Sequence, residues 1–187
     1  GEGWGAGRLL GDFEKRLRES VGDTEIVDAH APLTLVETRV SPAWIDYNGH
    51  MADHRYLQVF GDTTDALLRL IGADLAYVEA GHSYYTVETH LRHLDEAHLG
   101  EALRSTCQIL SVDEKRIHVF YRLFAGDREV ATAEQMLLHV DTVAGRAVPA
   151  PETIIARLRP LADAHARLDP PEGAGRAVGQ KRSMATV

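Results

Sequence analysis

The stretch RYLQVFGDTTDALLRLI, from Arg55 to Ile71, decides the fold. Its apolar residues return every three or four positions, which places Tyr56, Val59, Phe60, Thr63, Leu67, Leu70 and Ile71 on one face of an α-helix. Arg55, Gln58, Asp62, Asp65 and Arg69 fall on the opposite face. Asp53 suits an N-cap and Gly72 a stop. Inside a helix Gly61 costs about 1 kcal/mol relative to alanine, so its presence predicts a strand passing close beside it.

Downstream of that helix the period shortens to about two residues, the spacing of a strand. From His82 to Leu94, Tyr85, Val87, Thr89 and Leu91 alternate with Tyr84, Thr86, Glu88, His90 and Arg92. Leu103–Val112, Arg116–Phe124 and Glu129–Asp141 read as further strands, joined by hairpin turns at 113–115 and 125–127. Upstream, Leu33–Ser41 is a strand ended by Pro42; far downstream, Pro149 and Pro151 open a helix over Glu152–Arg167, kinked at Pro160. One strand, one long helix and a four-stranded antiparallel meander make an α+β domain. A lone amphipathic helix buries its stripe only if the sheet wraps it.

That domain occupies residues 33–142. Residues 1–32 are an N-terminal segment or linker with a short amphipathic helix over Arg8–Ser20; residues 143–168 hold the C-terminal helix, and residues 169–187 have the composition of a disordered tail. With 187 residues, 44% of them hydrophobic and 26% charged, the chain suits a soluble globular protein with one sizeable core. A net charge of −8 excludes a basic nucleic-acid footprint. The lone cysteine, Cys107, cannot form an internal disulfide, and no run approaches the roughly 18 apolar residues of a membrane span. The first twenty residues lack an apolar signal region, so a cytoplasmic location is expected, without membrane partners.

Trp44-Ile45-Asp46-Tyr47-Asn48-Gly49-His50-Met51 joins the first strand to the helix. It brings a carboxylate, an imidazole and a glycine to a helix N-terminus, whose first N–H groups lack internal partners and carry partial positive charge. Such amides can hold a polarised carbonyl oxygen, and an ionised Asp46 can activate water or attack directly. Those parts suffice to hydrolyse a thioester with no metal, no cofactor and no serine triad. Taken alone, Asp46 reads more readily as a loop-capping carboxylate than as a catalytic one, and His50 more readily as a structural hydrogen-bonder than as a base. The ten histidines of the chain do not cluster at ligand spacing, since His90 and His93 fall on opposite faces of a strand, so no metal site is expected.

The pattern Asp46-x-x-Gly49-His50-Met51 followed by Tyr56 resembles the signature of the 4-hydroxybenzoyl-CoA thioesterase-like hotdog family, across roughly Leu33 to Asp141. The resemblance implies a hotdog fold, a catalytic carboxylate at Asp46, oxyanion amides near Asp53 and His54, and a homodimer or higher homo-oligomer with its site at the subunit interface. The family's usual Asn pair is replaced here by Ala52-Asp53. At finer grain, RYLQVFGDTTDALLRLIG, GHSYYTVETH and ATAEQMLLHVD resemble the thioesterase domains fused behind L-carnitine dehydrogenases. That likeness implies an acyl-CoA partner, with betainyl-CoA as substrate, and covalent fusion to a dehydrogenase domain.

On this reading Asp46, His50 and Asp53 are the catalytic candidates, and Trp44, Tyr47, Asn48, Tyr56, Tyr85 and Glu88 the substrate-binding ones. A quaternary ammonium donates no hydrogen bond and is attracted to aromatic faces and carboxylates, which these residues supply. Two rivals remain: a hotdog enoyl-CoA hydratase or dehydratase, and a non-catalytic acyl-CoA-binding or oligomerising module of a dehydrogenase. Only a thioesterase would release free thiol from a saturated acyl-CoA.

Overall fold

The computed structural model describes residues 30–179, so the helix expected over Arg8–Ser20 lies outside the described residues. Strand β1 (Leu33–Arg39) leads through a single 3-10 turn (Pro42–Trp44) into α1 (Asp53–Leu70). A short helix, α2 (Leu75–Glu79), precedes strands β2 (His82–His93), β3 (Ala102–Val112), β4 (Arg116–Ala125) and β5 (Arg128–Asp141). Strand β6 (Arg146–Ala147) and helix α3 (Glu152–His165) complete the order. All pairings are antiparallel, in the spatial order β1-β3-β4-β5-β2, with β6 beside the end of β5. This is a hotdog sheet curled around α1.

The expected meander fails at one step, because β2 pairs with β5 and not with β3. Tight turns force β3, β4 and β5 to be neighbours, whereas the longer connection 94–101 lets the chain cross to the far side of the sheet. Strand β2 is consequently an edge strand. A bulge between Thr86 and Glu88 also breaks the simple alternation read from its sequence. Tyr84 and Thr86 share a face with Thr89 and Leu91, while Tyr85, Glu88, His90 and Arg92 point away from α1.

The buried stripe of α1 is close to the one its periodicity predicts. Tyr56, Val59, Phe60, Thr63 and Leu67 are buried, and Ile71 just beyond the helix is fully so. The Phe60 ring stacks on Tyr121 of β4 with centroids 6.0 Å apart. The threonines of α1 pair with the sheet: the Thr64 hydroxyl meets Tyr121 Oη at 2.8 Å and donates to Gln135 Oε1 at 3.1 Å, and the Thr63 hydroxyl donates to Ser105 Oγ at 2.7 Å. No strand approaches Gly61; a methyl group there would meet nothing within 4 Å.

Beyond the start of β1 the free edge of β3 is covered by α3, where buried His165 accepts the Ile109 N–H at Nδ1 (2.8 Å). Burial holds His165 below the ordinary imidazole range, with the Ala31 backbone acting in the opposite sense. Pro160 lies inside α3. In the stretch where the sequence suggests a disordered tail, the Asp169 carbonyl accepts from Gln108 Nε2 at 3.1 Å, and the Gly175 N–H donates to Glu134 Oε2 at 2.7 Å. These contacts lay residues 169–175 across the outer face of the sheet. Among the described residues no helix is long and apolar enough to cross a membrane.

Candidate active site

Residues 45–51 form a small loop closed by a bridge between Ile45 and Met51. The Asp46 N–H donates to the His50 carbonyl, and the Gly49 N–H to the Asp46 carbonyl, each at 3.0 Å. Asp46 then folds its carboxylate back, so that Oδ1 accepts the Asn48 N–H at 2.8 Å. This is an Asx turn, and Gly49 after it brings the chain back to the Asp46–His50 hydrogen bond at a left-handed φ of +82°, which glycine adopts without penalty. The second carboxylate oxygen of Asp46 has no partner among the described residues, and the side chain is half-buried. Asp46 is thus oriented by the backbone yet open on one side.

The loop runs straight into α1. Ala52, not Asp53, is the N-cap residue; its backbone is extended, and its N–H donates to the Trp44 carbonyl at 2.8 Å. Asp53 is the first helical residue, and its Oδ1 accepts the neighbouring His54 N–H at 2.6 Å, with the carboxylate 88% exposed. The Asp53 N–H has no acceptor among the described residues. The helix start therefore offers one open amide and a second covered by a movable carboxylate.

The connection 94–101 forms the other wall. Ala97 is its anchor, accepting the Met51 N–H at 2.9 Å and donating its own N–H to Tyr56 Oη at 3.0 Å. His50 Nε2 lies 3.1 Å from Glu96 Oε2, and its ring meets His98 edge-on at 5.2 Å. Arg128 grips the same connection through Asp95 and Glu101. Hydrogen bonding to Arg128 holds the Asp95 carboxyl below its usual range. For Glu101, burial pushes upward but is outweighed by the His98 amide and Arg128.

The sequence candidates divide sharply by position. Asp46 and His50 share the loop before α1 and are joined there by a backbone hydrogen bond, Asp53 opens the helix itself, Trp44 is half-buried, and Asn48 supplies the turn amide. Tyr47 sits at the tip of the turn, 97% exposed. Tyr56 is buried, its hydroxyl is taken up by Ala97, and burial raises its pKa above the ordinary phenol value. Tyr85 and Glu88 are exposed on β2, away from α1. His93, at the near end of that strand, packs edge-on against Tyr56 at 4.9 Å. At about 3.3 Å per residue, Glu88 lies about 16 Å and Tyr85 about 26 Å farther along the strand from His93. One copy of the chain does not bring them to Asp46. Glu96, His98 and Arg128 escaped the sequence reading, because no local spacing marks residues that meet only through the fold. Among the described residues no group of three or more His, Cys, Asp or Glu side chains could hold a metal ion.

A profile described as the Thioesterase-like superfamily matches residues 40–158. The L-carnitine dehydrogenase/betainyl-CoA thioesterase of Rhizobium meliloti (strain 1021) is 64% identical over 185 residues, covering 97% of this chain and 37% of that protein. The chain thus spans little more than a third of that relative's length. The Betainyl-CoA thioesterase of Pseudomonas aeruginosa is 43% identical over 150 residues, covering 79% of this chain and 94% of its own length. Among solved structures, a candidate thioesterase from Pseudomonas putida KT2440 superposes with a TM-score of 0.70 at 35% identity, covering 80% of this chain and 97% of that one.

Proposed function

Because the chain belongs to the thioesterase-like superfamily, we propose that it hydrolyses betainyl-CoA to glycine betaine and CoA, with Asp46 as the catalytic carboxylate. The observation that carries the reading is the Asp46 turn: a backbone-held carboxylate with one open oxygen, in the loop that runs directly into the N-terminus of α1. Betainyl-CoA is the substrate named in the 64%- and 43%-identical relatives, and the acids around the loop, Asp46, Asp53 and Glu96, suit a cationic acyl group.

In the reaction the thioester carbonyl oxygen faces the α1 amides, and the Asp53 carboxylate must leave the His54 N–H to free the second of them. Asp46 takes a proton from water as the hydroxyl adds to the carbonyl carbon, or adds to that carbon itself to give an anhydride that water then cleaves. Either route breaks the C–S bond: the departing CoA sulfur takes up one proton of the water, the acyl group leaves as a carboxylate with the other proton passing to solvent, and Asp46 returns to its ionised form. His50, tied to Glu96, holds the Asp46 N–H through its carbonyl and is a scaffold of the turn.

The protein acts as a homodimer in this account. Strand β2 ends the sheet with a free edge, and Tyr85 and Val87 on it are 51% and 54% exposed. Antiparallel pairing of two β2 strands about a two-fold would continue the sheet through both copies, with the His93 end of each β2, which packs on Tyr56 of α1, beside the interface. In a longer chain this unit follows a dehydrogenase, as the names of its fused relatives suggest.

A thiol-release assay over a panel of acyl-CoAs tests the proposal. Betainyl-CoA should exceed its neutral isostere 3,3-dimethylbutanoyl-CoA by about tenfold or more in kcat/KM, because attraction of a desolvated cation to aromatic faces is worth about 2 kcal/mol. Equal rates would leave a merely apolar pocket and remove betainyl-CoA as the preferred substrate. Turnover of an enoyl-CoA without thiol release would remove the thioesterase reading altogether.

A further inference from the structure

Arg128 opens β5 and holds the 94–101 connection at separate points. Nη1 lies 2.9 Å from Asp95 Oδ2 and donates to the Glu96 carbonyl at 2.6 Å, while Nη2 reaches Glu101 Oε1 and Oε2 at 2.8 and 3.1 Å. Glu101 Oε2 also accepts the His98 N–H at 2.8 Å, which stiffens the far end of the connection. One planar guanidinium therefore spans the segment from Asp95 to Glu101. A lysine ammonium, a single point charge, cannot reproduce that fork.

Among the described residues, the hydrogen bonds, ion pair and ring contact that join this connection to the Asp46 loop and α1 fall at Glu96, Ala97 and His98, inside the span that Arg128 grips. Ala97 takes the Met51 N–H, Ala97 donates to Tyr56 of α1, and Glu96 meets His50. His50 in turn holds the Asp46 N–H. The chain of contacts thus runs from Arg128 to the connection, from the connection to His50 and Met51, and from His50 to Asp46. By contrast, Arg122 pairs with Glu129 and covers the Phe124 ring, and leads to no part of the loop.

We infer that Arg128 is a positioning residue for hydrolysis, fixing the 94–101 connection so that the Asp46 turn keeps its reactive geometry. The inference rests on the thioesterase reading with Asp46 as its carboxylate. Partly exposed ion pairs add little to global stability, so losing this clamp should appear in the reaction and not in the melting temperature. A small displacement of a reacting group lowers the rate by up to about 100-fold.

The test uses the full chain with Arg128→Ala, Arg128→Lys and Glu101→Gln, and with Arg122→Gln as the control. Arg128→Ala should lose about tenfold or more in kcat while KM for betainyl-CoA moves less than about threefold. Arg128→Lys should recover little of that loss, because charge without the fork spans one acceptor at a time. Amide exchange at Met51 and Ala97 should quicken in both Arg128 variants and stay unchanged in the control. Should Arg128→Ala fail to fold, Arg128→Lys and Glu101→Gln give the same readouts. Wild-type kcat in a folded Arg128→Ala, or unchanged exchange at Met51 and Ala97, overturns the inference. Absence of thiol release by the wild type would instead overturn the functional reading, and the exchange measurement would still decide the clamp.

Discussion

Replacing Tyr56 by phenylalanine removes one oxygen from the contact between α1 and the 94–101 connection. The side chain is 4% exposed, and its hydroxyl is the acceptor for the N–H of Ala97, a fully buried residue. Phenylalanine keeps the ring and its edge-on contact with His93. The change leaves a buried N–H without a partner, which costs about 1–3 kcal/mol. With an m-value near 2 kcal/mol/M, the urea midpoint should fall by about 0.5–1.5 M. The measurement needs one fixed protein concentration, because the stability of the homodimer proposed above would depend on it. KM for the acyl-CoA should stay within about twofold of wild type, since the hydroxyl is consumed inside the fold. An unchanged midpoint together with a tenfold rise in KM would refute this reasoning and return Tyr56 to the substrate-binding set.

Further outcomes concern the helix, the buried histidines and the sheet edge. Gly61→Ala should stabilise the chain by about 1 kcal/mol in urea denaturation, because the helix gains propensity and the new methyl meets open space; destabilisation would mean that a second copy fills that space. His139 and His165 are both held below the ordinary imidazole range chiefly by burial, so the folded state resists the protons that the unfolded chain takes up. Stability is therefore complete above the ordinary imidazole pKa of about 6.5 and falls as pH drops below it. The melting temperature should decline between about pH 7.5 and pH 5.5, and less steeply in His165→Gln; a flat profile would contradict it. Val87→Lys places a charge at the exposed edge of β2 and should give monomers by light scattering with little thiol release, whereas fully active monomers would contradict the shared site.

Periodicity made α1 and the strands legible, because burial imposes a spacing of about 3.6 residues on a helix and about two on a strand. The same logic could not place β2 beside β5, since strand order depends on pairings that leave no local trace. Nor could it find the bulge at Thr86/Glu88, which inverts the faces of the strand and sends Glu88 outward and Thr89 inward. Gly61 looked like a site of close approach, yet the space beside it is open. The loop carrying Asp46 was visible because its residues are adjacent in sequence and its left-handed position falls on a glycine. The wall facing it was not, because Glu96, Ala97 and Arg128 meet the loop across long sequence separations. Tyr56 is the instructive case: its place in the motif suggested the substrate, whereas burial and the Ala97 amide give its hydroxyl to the scaffold.

Asp46→Asn addresses the central claim most directly, measured as thiol release from betainyl-CoA. The amide oxygen of asparagine can still accept the Asn48 N–H, so the turn and the melting temperature should persist while the charge is lost. The account predicts a fall in kcat of at least about 100-fold in a folded protein, the lower range for loss of a general base. A folded Asp46→Asn variant that keeps a tenth or more of wild-type kcat would contradict it.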